Sequence, residues 1–137
     1  MSWKECNEEF SVITIKPDKE KAKSILETAN ARIKYANKDK IDKTNCSFIF
    51  ESYYSALIEY LHSILIRTGF KAKNHICLGY YLRDVLKRDE LYRIFDYSRK
   101  RRNNLMYYGK MLKFETAKKS IENVKILIKE LIHLNLF

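Results

Sequence analysis

One run of the chain carries most of its chemical potential: Arg99-Lys100-Arg101-Arg102-Asn103-Asn104-Leu105-Met106-Tyr107-Tyr108-Gly109. Four consecutive cations suit phosphate or carboxylate partners, and the planar fork of arginine can hold either one bidentately. Asn103 and Asn104 can orient such a pair by hydrogen bonding, while Tyr107 and Tyr108 offer stacking surfaces and O–H donors. Nowhere do His and Cys gather at metal-ligand spacing, so neither a metal nor a cofactor is expected.

A helix must position this run. The spacing predicts one from Glu90 to Tyr108, stopped by Gly109, with an apolar stripe of Leu91, Ile94, Phe95 and Ser98 that resumes at Leu105. Arg101 and Arg102 fall in the gap of that stripe, so at least one guanidinium should lie at the edge of the packed face. There it needs a carboxylate, a backbone carbonyl or a bound phosphate as acceptor. Helical geometry sorts the polar groups onto three faces: Arg101, Asn104 and Tyr108; Arg102, Leu105 and Met106; Asn103 and Tyr107. A single pocket on one copy of the chain is therefore not expected. The competing reading is a solvated basic run followed by core tyrosines at a helix end.

With 137 residues, 46 % of them hydrophobic, the chain can bury one core but is too short for two ordinary domains. One proline and three glycines leave little of the punctuation that many short strands need, so the expected class is all-α. The formal charge of +10 favours polyanionic partners such as RNA or DNA, although lysines spread over every segment also serve solubility. Cys6, Cys46 and Cys77 are odd in number and far apart, so no disulfide framework is indicated and reduced thiols are expected. A polar, acidic N-terminus and the lack of a run of ~20 apolar residues point to a cytoplasmic protein without a membrane span.

Residues 1–17 read as an N-terminal arm, extended or weakly strand-like over Phe10–Lys16, and residues 18–137 as the helical domain. Pro17-Asp18 should open a peripheral amphipathic helix with Ala22, Ile25, Leu26, Ala29, Ile33 and Ala36 on its buried stripe. The segment from Phe48 to Ile66 is apolar except for a strip of Ser52, Ser55, Glu59 and His62, so it should be the surrounded core helix, with Thr44 or Asn45 at its start and Gly69 at its end. His62 reads as a hydrogen-bonded structural residue and Glu59 as a partner for a buried cation. A shorter helix within Lys71–Leu86 should be capped by Asn74, which explains His75 as a first-turn residue without chemistry. Ile76, Leu78, Tyr81, Leu82, Val85 and Leu86 are its candidates for burial. The last helix, Phe114 to about Leu134, carries a broad stripe that runs to Leu131 and Ile132 and can close the bundle. The apolar end at Leu134, Leu136 and Phe137 should pack on its own domain or on a second subunit.

The core segment Tyr-Tyr-Ser-Ala-Leu-Ile-Glu-Tyr-Leu, the Gly69-Phe70-Lys71 turn before Asn74-His75, and Arg102-Asn103 ahead of Tyr107-Tyr108-Gly109 resemble the HEPN domain family, closest to its small free-standing archaeal and bacterial members. The resemblance covers about Asp18 to Leu134. It implies an up-and-down bundle of four to five helices, a homodimer, and RNA or nucleotide binding in a toxin–antitoxin or defence setting. A nucleotidyltransferase antitoxin is the protein partner it implies. In that family an arginine and a polar residue precede a histidine by a few positions. Arg102 and Asn103 match the start of the pattern, but Tyr107 stands where the histidine would be.

An unperturbed phenol of pKa ~10 is a poor substitute for an imidazole at ~6.5 in proton transfer near neutrality. Ribonuclease activity is therefore expected to be weak or absent. By this resemblance Arg102 binds phosphate, Asn103 orients it and Tyr107 holds the position of the lost base. Arg99, Lys100 and Arg101 extend the nucleic-acid contact, and Tyr108 is a stacking phenol or a site of nucleotidylation. Two further readings stay open: an interaction module that pairs with a nucleotidyltransferase, and a metal-independent endoribonuclease that uses Tyr107.

Overall fold

In the computed structural model, which describes residues 1–137, the chain forms α1 (Trp3–Glu8), β1 (Val12–Thr14), α2 (Lys19–Ala36), α3 (Cys46–Thr68), β2 (Phe70–Ala72), α4 (His75–Tyr80, continued as a π turn over Tyr81–Val85), α5 (Asp89–Tyr108) and α6 (Phe114–His133). Helices take 72 % of the residues and the only sheet is a two-stranded ribbon, so the class is all-α as expected.

The apolar circumference of α3 decides the arrangement. Phe50, Tyr54, Leu57, Leu61, Ile64 and Leu65 are all fully buried, and each such side chain contributes about 1.5–3 kcal/mol on leaving water. Helix α2 lies along one side of α3 and α6 along another, with α5 joining α6 and α4 to complete the enclosure. Ser52, Ser55, Glu59 and His62 stay half-buried on the one polar strip, where the periodicity put them. The caps also follow the sequence. Asp18 accepts from Lys21 N at 2.9 Å to start α2, and Gly69 ends α3 at φ +103°. A Cβ at Gly69 would stand 3.0 Å from the Ile15 carbonyl, so space as well as φ requires glycine there. Asn45 precedes α3 but does not cap it through its side chain. Its Oδ1 accepts from Asp42 N instead, closing the preceding loop.

Several expectations are corrected. The strand-like reading of Phe10–Lys16 holds at β1, but the arm also carries an unexpected helix: Ser2 Oγ accepts from Glu5 N and starts α1, whose Trp3 ring packs edge-on against Phe70 and Tyr81 at 5.5 and 5.2 Å. β1 then pairs antiparallel with β2 in the register Val12↔Ala72, Ile13↔Lys71, Thr14↔Phe70. This pairing folds the arm back onto the domain, where Cys6 and Val12 join the core. It also brings Cys6 to Cys77 with Cα atoms 6.2 Å apart, and the two form a disulfide, against the expectation of reduced thiols. Cys46 remains free and buried. The disulfide removes the reduced-thiol argument for a cytoplasmic setting, since such bonds mark oxidising compartments in most organisms. No helix is long and apolar enough to cross a membrane.

The short helix is also less regular than the spacing predicts, because the π turn after Tyr80 shifts the register and leaves Val85 42 % exposed. Ile132, placed on the closing stripe by its spacing, is 53 % exposed. Phe137 meets the Tyr60 ring edge-on at 5.5 Å, so the apolar tail packs on its own bundle. A close helix contact lies one turn before the basic run. Gly79 of α4 sits against the fully buried Phe95 ring of α5, where a Cβ would come within 2.9 Å of Cδ1. The missing side chain lets α4 approach α5 closely, and so sets the residues at the start of α4 beside the arginines of α5.

Candidate functional site

Helix α5 runs as predicted from Asp89 to Tyr108 and ends at Gly109 with φ +61°. Leu91, Phe95, Ser98 and Leu105 are buried, and the arginines between the last two are half-buried. The expected gap in the stripe is real. Its consequence differs from the expectation, however, because neither Arg101 nor Arg102 forms an ion pair with a carboxylate. The guanidinium of Arg101 stacks on the Tyr97 ring at 4.2 Å and donates to its hydroxyl. That of Arg102 lies over the Tyr54 ring at 5.8 Å. The Nε atoms of both are buried and without a hydrogen-bond partner. An unmet buried donor costs about 1–3 kcal/mol, so a ring face satisfies these groups only in part.

A groove of about 590 Å³ opens between the start of α4 and the second half of α5. Lys73, Asn74, His75 and Ile76 form one wall, and Arg99, Arg102, Asn103 and Tyr107 form the other. Arg102 and the Asn103–Tyr107 pair, which the sequence reading set on two faces, thus meet on one copy of the chain, because Arg99, Asn103 and Tyr107 recur at four-residue steps and Arg102 flanks them. No carboxylate lines it. The nearest acid in the network, Asp96, accepts from Arg99 at 2.9 Å and from Lys100 at 3.0 Å. Burial works to raise its pKa, and the two cationic donors outweigh that and hold it below the usual carboxylate range. Arg99 is therefore anchored with only 17 % of its side chain exposed, while Lys100 stays 67 % exposed outside the groove.

The remaining expected site residues divide clearly. Tyr107 lines the groove and is 71 % exposed, and Asn103 lines it half-buried. Arg101 points its charge at Tyr97, and Tyr108, 72 % exposed, is not part of the groove wall. The structure therefore gathers Arg99, Arg102, Asn103 and Tyr107 and leaves out Lys100, Arg101 and Tyr108.

His75 is the residue that sequence reasoning passed over. Asn74 does cap α4, accepting from Cys77 N at 3.0 Å, but His75 takes no part in that cap. Its Nδ1 lies 3.0 Å from Tyr54 Oη, across from α3. Burial, followed by the positive charges of Arg102, His62 and Arg99, lowers its pKa to about 4. Tyr54, mainly through its own burial, is pushed well above the ordinary phenol value and keeps its proton. The imidazole is neutral at pH 7: where the phenol donates to Nδ1 the ring proton sits on Nε2 as a donor, and in the other tautomer Nδ1 donates to the phenol. The only signal in the chain was the Asn74-His75 pair just after β2, and local spacing could not reveal that it faces Arg102. His62, lowered mainly by burial, stays on the polar strip of α3.

The arrangement can hold an anion. Lys73, Arg99 and Arg102 supply charge, Asn103 supplies a neutral donor, and Tyr107 supplies an aromatic face. Compared with known protein families, curated proteins and solved structures, the chain matches none.

Proposed function

We propose that the chain is a HEPN-like protein that binds the phosphate of single-stranded RNA or of a nucleotide in the groove between α4 and α5. The observation that carries this reading is Arg102: a guanidinium at the groove wall whose Nε is buried, unpartnered and free of any carboxylate. The terminal nitrogens of the same guanidinium also have no protein acceptor, and a phosphate oxygen in the groove can supply one to them. Arg99 and Lys73 add charge, Asn103 orients the bound group, and Tyr107 offers a face for a base.

Cleavage is weak or absent. Tyr107 replaces the histidine of the resembled pattern, and His75 has Nδ1 engaged by Tyr54 and a pKa of about 4, which makes it a poor proton acceptor. The resemblance further implies a homodimer in a toxin–antitoxin or defence setting, in which a two-fold axis would double the groove. One observation favours a second reading, docking of a nucleotidyltransferase or another protein. Met106, Tyr107, Tyr108 and Met111, at and just after the end of α5, are each more than half exposed.

The test is fluorescence anisotropy with a labelled single-stranded RNA over a salt series. The reading requires affinity that falls with salt and is lost on charge reversal, Arg99→Glu with Arg102→Glu, in a folded protein. Salt-independent or absent binding overturns it, and size exclusion of the pure protein tests the dimer separately.

A further inference from the structure

The groove does not end at Arg102. His75 and Arg102 also wall a second chamber of about 290 Å³, completed by Arg32, Tyr54, Ser55, Ile58 and Glu59. The two chambers adjoin at this shared wall and differ in charge. The first holds only cations and neutral groups; the second contains Glu59, the one carboxylate lining either chamber. A carboxylate repels phosphate, so the second chamber suits the uncharged part of a ligand whose phosphate is held at Arg102. Its volume is at the small end of ligand sites, which span about 300–1,000 Å³, and fits a base better than a larger group.

Glu59 is fixed in place. Its Oε1 accepts from Arg32 Nε at 2.5 Å, and its side chain is only 19 % exposed. Its other oxygen and the two terminal nitrogens of Arg32 make no hydrogen bond within the protein. The pair therefore presents acceptor capacity beside free donors, above a floor formed by the buried Tyr54 and Ile58.

We propose that this second chamber is a base subsite selective for guanine, with Glu59 accepting from N1–H and the 2-amino group and Arg32 donating to O6. The proposal rests on the phosphate-binding reading of the first chamber. Guanine is the base whose Watson–Crick edge sets two adjacent donors beside an acceptor. Adenine, cytosine and uracil each offer one donor position there and leave part of the carboxylate unmet. Discrimination comes from the same asymmetry, since a polar group desolvated without its partner costs more than a made bond returns.

Isothermal titration calorimetry of the full chain with the 5′-monophosphates of guanosine, inosine, adenosine, cytidine and uridine tests this. The guanosine nucleotide should bind about tenfold or more tightly than the uridine nucleotide. The inosine nucleotide, which lacks the 2-amino group, should fall between them. Glu59→Gln, checked by circular dichroism, should collapse the guanosine-to-uridine ratio toward one. Equal affinity for all five nucleotides overturns the guanine subsite and leaves the phosphate site standing, as does a ratio that survives Glu59→Gln. No binding of any nucleotide, of inorganic phosphate or of single-stranded RNA overturns both. The comparison of guanosine with inosine needs no variant, so misfolding of Glu59→Gln cannot rescue the proposal.

Discussion

Tyr54 Oη on α3 and His75 Nδ1 at the start of α4 stand 3.0 Å apart, 21 residues separated in sequence, with Tyr54 in the second chamber and His75 on the wall that both chambers share. His75 should therefore stay neutral down to about pH 4, mainly because it is buried and then because Arg102 is near. Above pH 6.5 neither the folded nor the unfolded chain holds the proton, and this group leaves stability unchanged. Between pH 6.5 and 4 the unfolded chain takes up a proton that the folded chain refuses, so stability should fall across that window and level off below it. Imidazole chemical shifts followed by NMR check the pKa directly, and a midpoint near 6.5 refutes the assignment. Arg102→Met should move the midpoint upward, by removing the largest of the positive charges that oppose protonation.

Arg102→Met should separate binding from stability. The substitution removes a buried, unsatisfied Nε worth about 1–3 kcal/mol of penalty and forfeits a cation–π contact of about 0.5–1 kcal/mol. The urea midpoint should thus be equal to or above that of the parent, while RNA affinity drops at least tenfold. Destabilisation by about 2 kcal/mol or more would mean that Arg102 serves packing instead. Arg101→Ala is the contrast: its guanidinium is engaged with Tyr97, so RNA affinity should change far less than for Arg102.

Replacing Cys6 and Cys77 by serine should cost about 2–4 kcal/mol, because the bridge spans a sequence separation of 71 and constrains a long loop of the unfolded chain. Urea titrations with and without a dithiol reductant measure the same quantity in the parent. Amide exchange in Trp3–Glu8 should quicken on reduction, since α1 would then be held by the ring packing of Trp3 and by its N–H on Asp84 at 2.8 Å. An unchanged midpoint in reductant shows that the cysteines are not bridged in solution.

Gly79→Ala should destabilise the protein by about 1–3 kcal/mol through overpacking against Phe95. Part of the loss should return in Gly79→Ala with Phe95→Leu, measured as a double-mutant cycle. Because this crossing seats α4 beside α5, the single variant should also weaken RNA binding. Retained affinity in a destabilised variant would show that the groove does not depend on this contact.

Local patterns in the chain determined the class, the long helices and most of their ends. Periodic apolar residues picked out α3 as the enclosed helix, Asp18 and Asn74 capped where their types predict, and Gly69 and Gly109 stopped two helices at positive φ. Those features depend on neighbours within a few residues, which is the range over which sequence spacing carries information. The same spacing located the interrupted stripe of α5 and so marked Arg101 and Arg102 as the pair of which at least one needs an acceptor.

Tertiary structure decided the rest. The β1–β2 ribbon folded the arm back and joined Cys6 to Cys77, and the close crossing at Gly79 carried His75 to Arg102 from another helix. Helical spacing already places Arg99, Asn103 and Tyr107 at four-residue steps with Arg102 beside them, but only the wall supplied by Lys73–Ile76 turned that face into a groove. Arg32 and Glu59 met in the same way across α2 and α3. Each of these juxtapositions is a contact between residues distant in the chain, set by which surfaces bury the most apolar area together, and no local period encodes it.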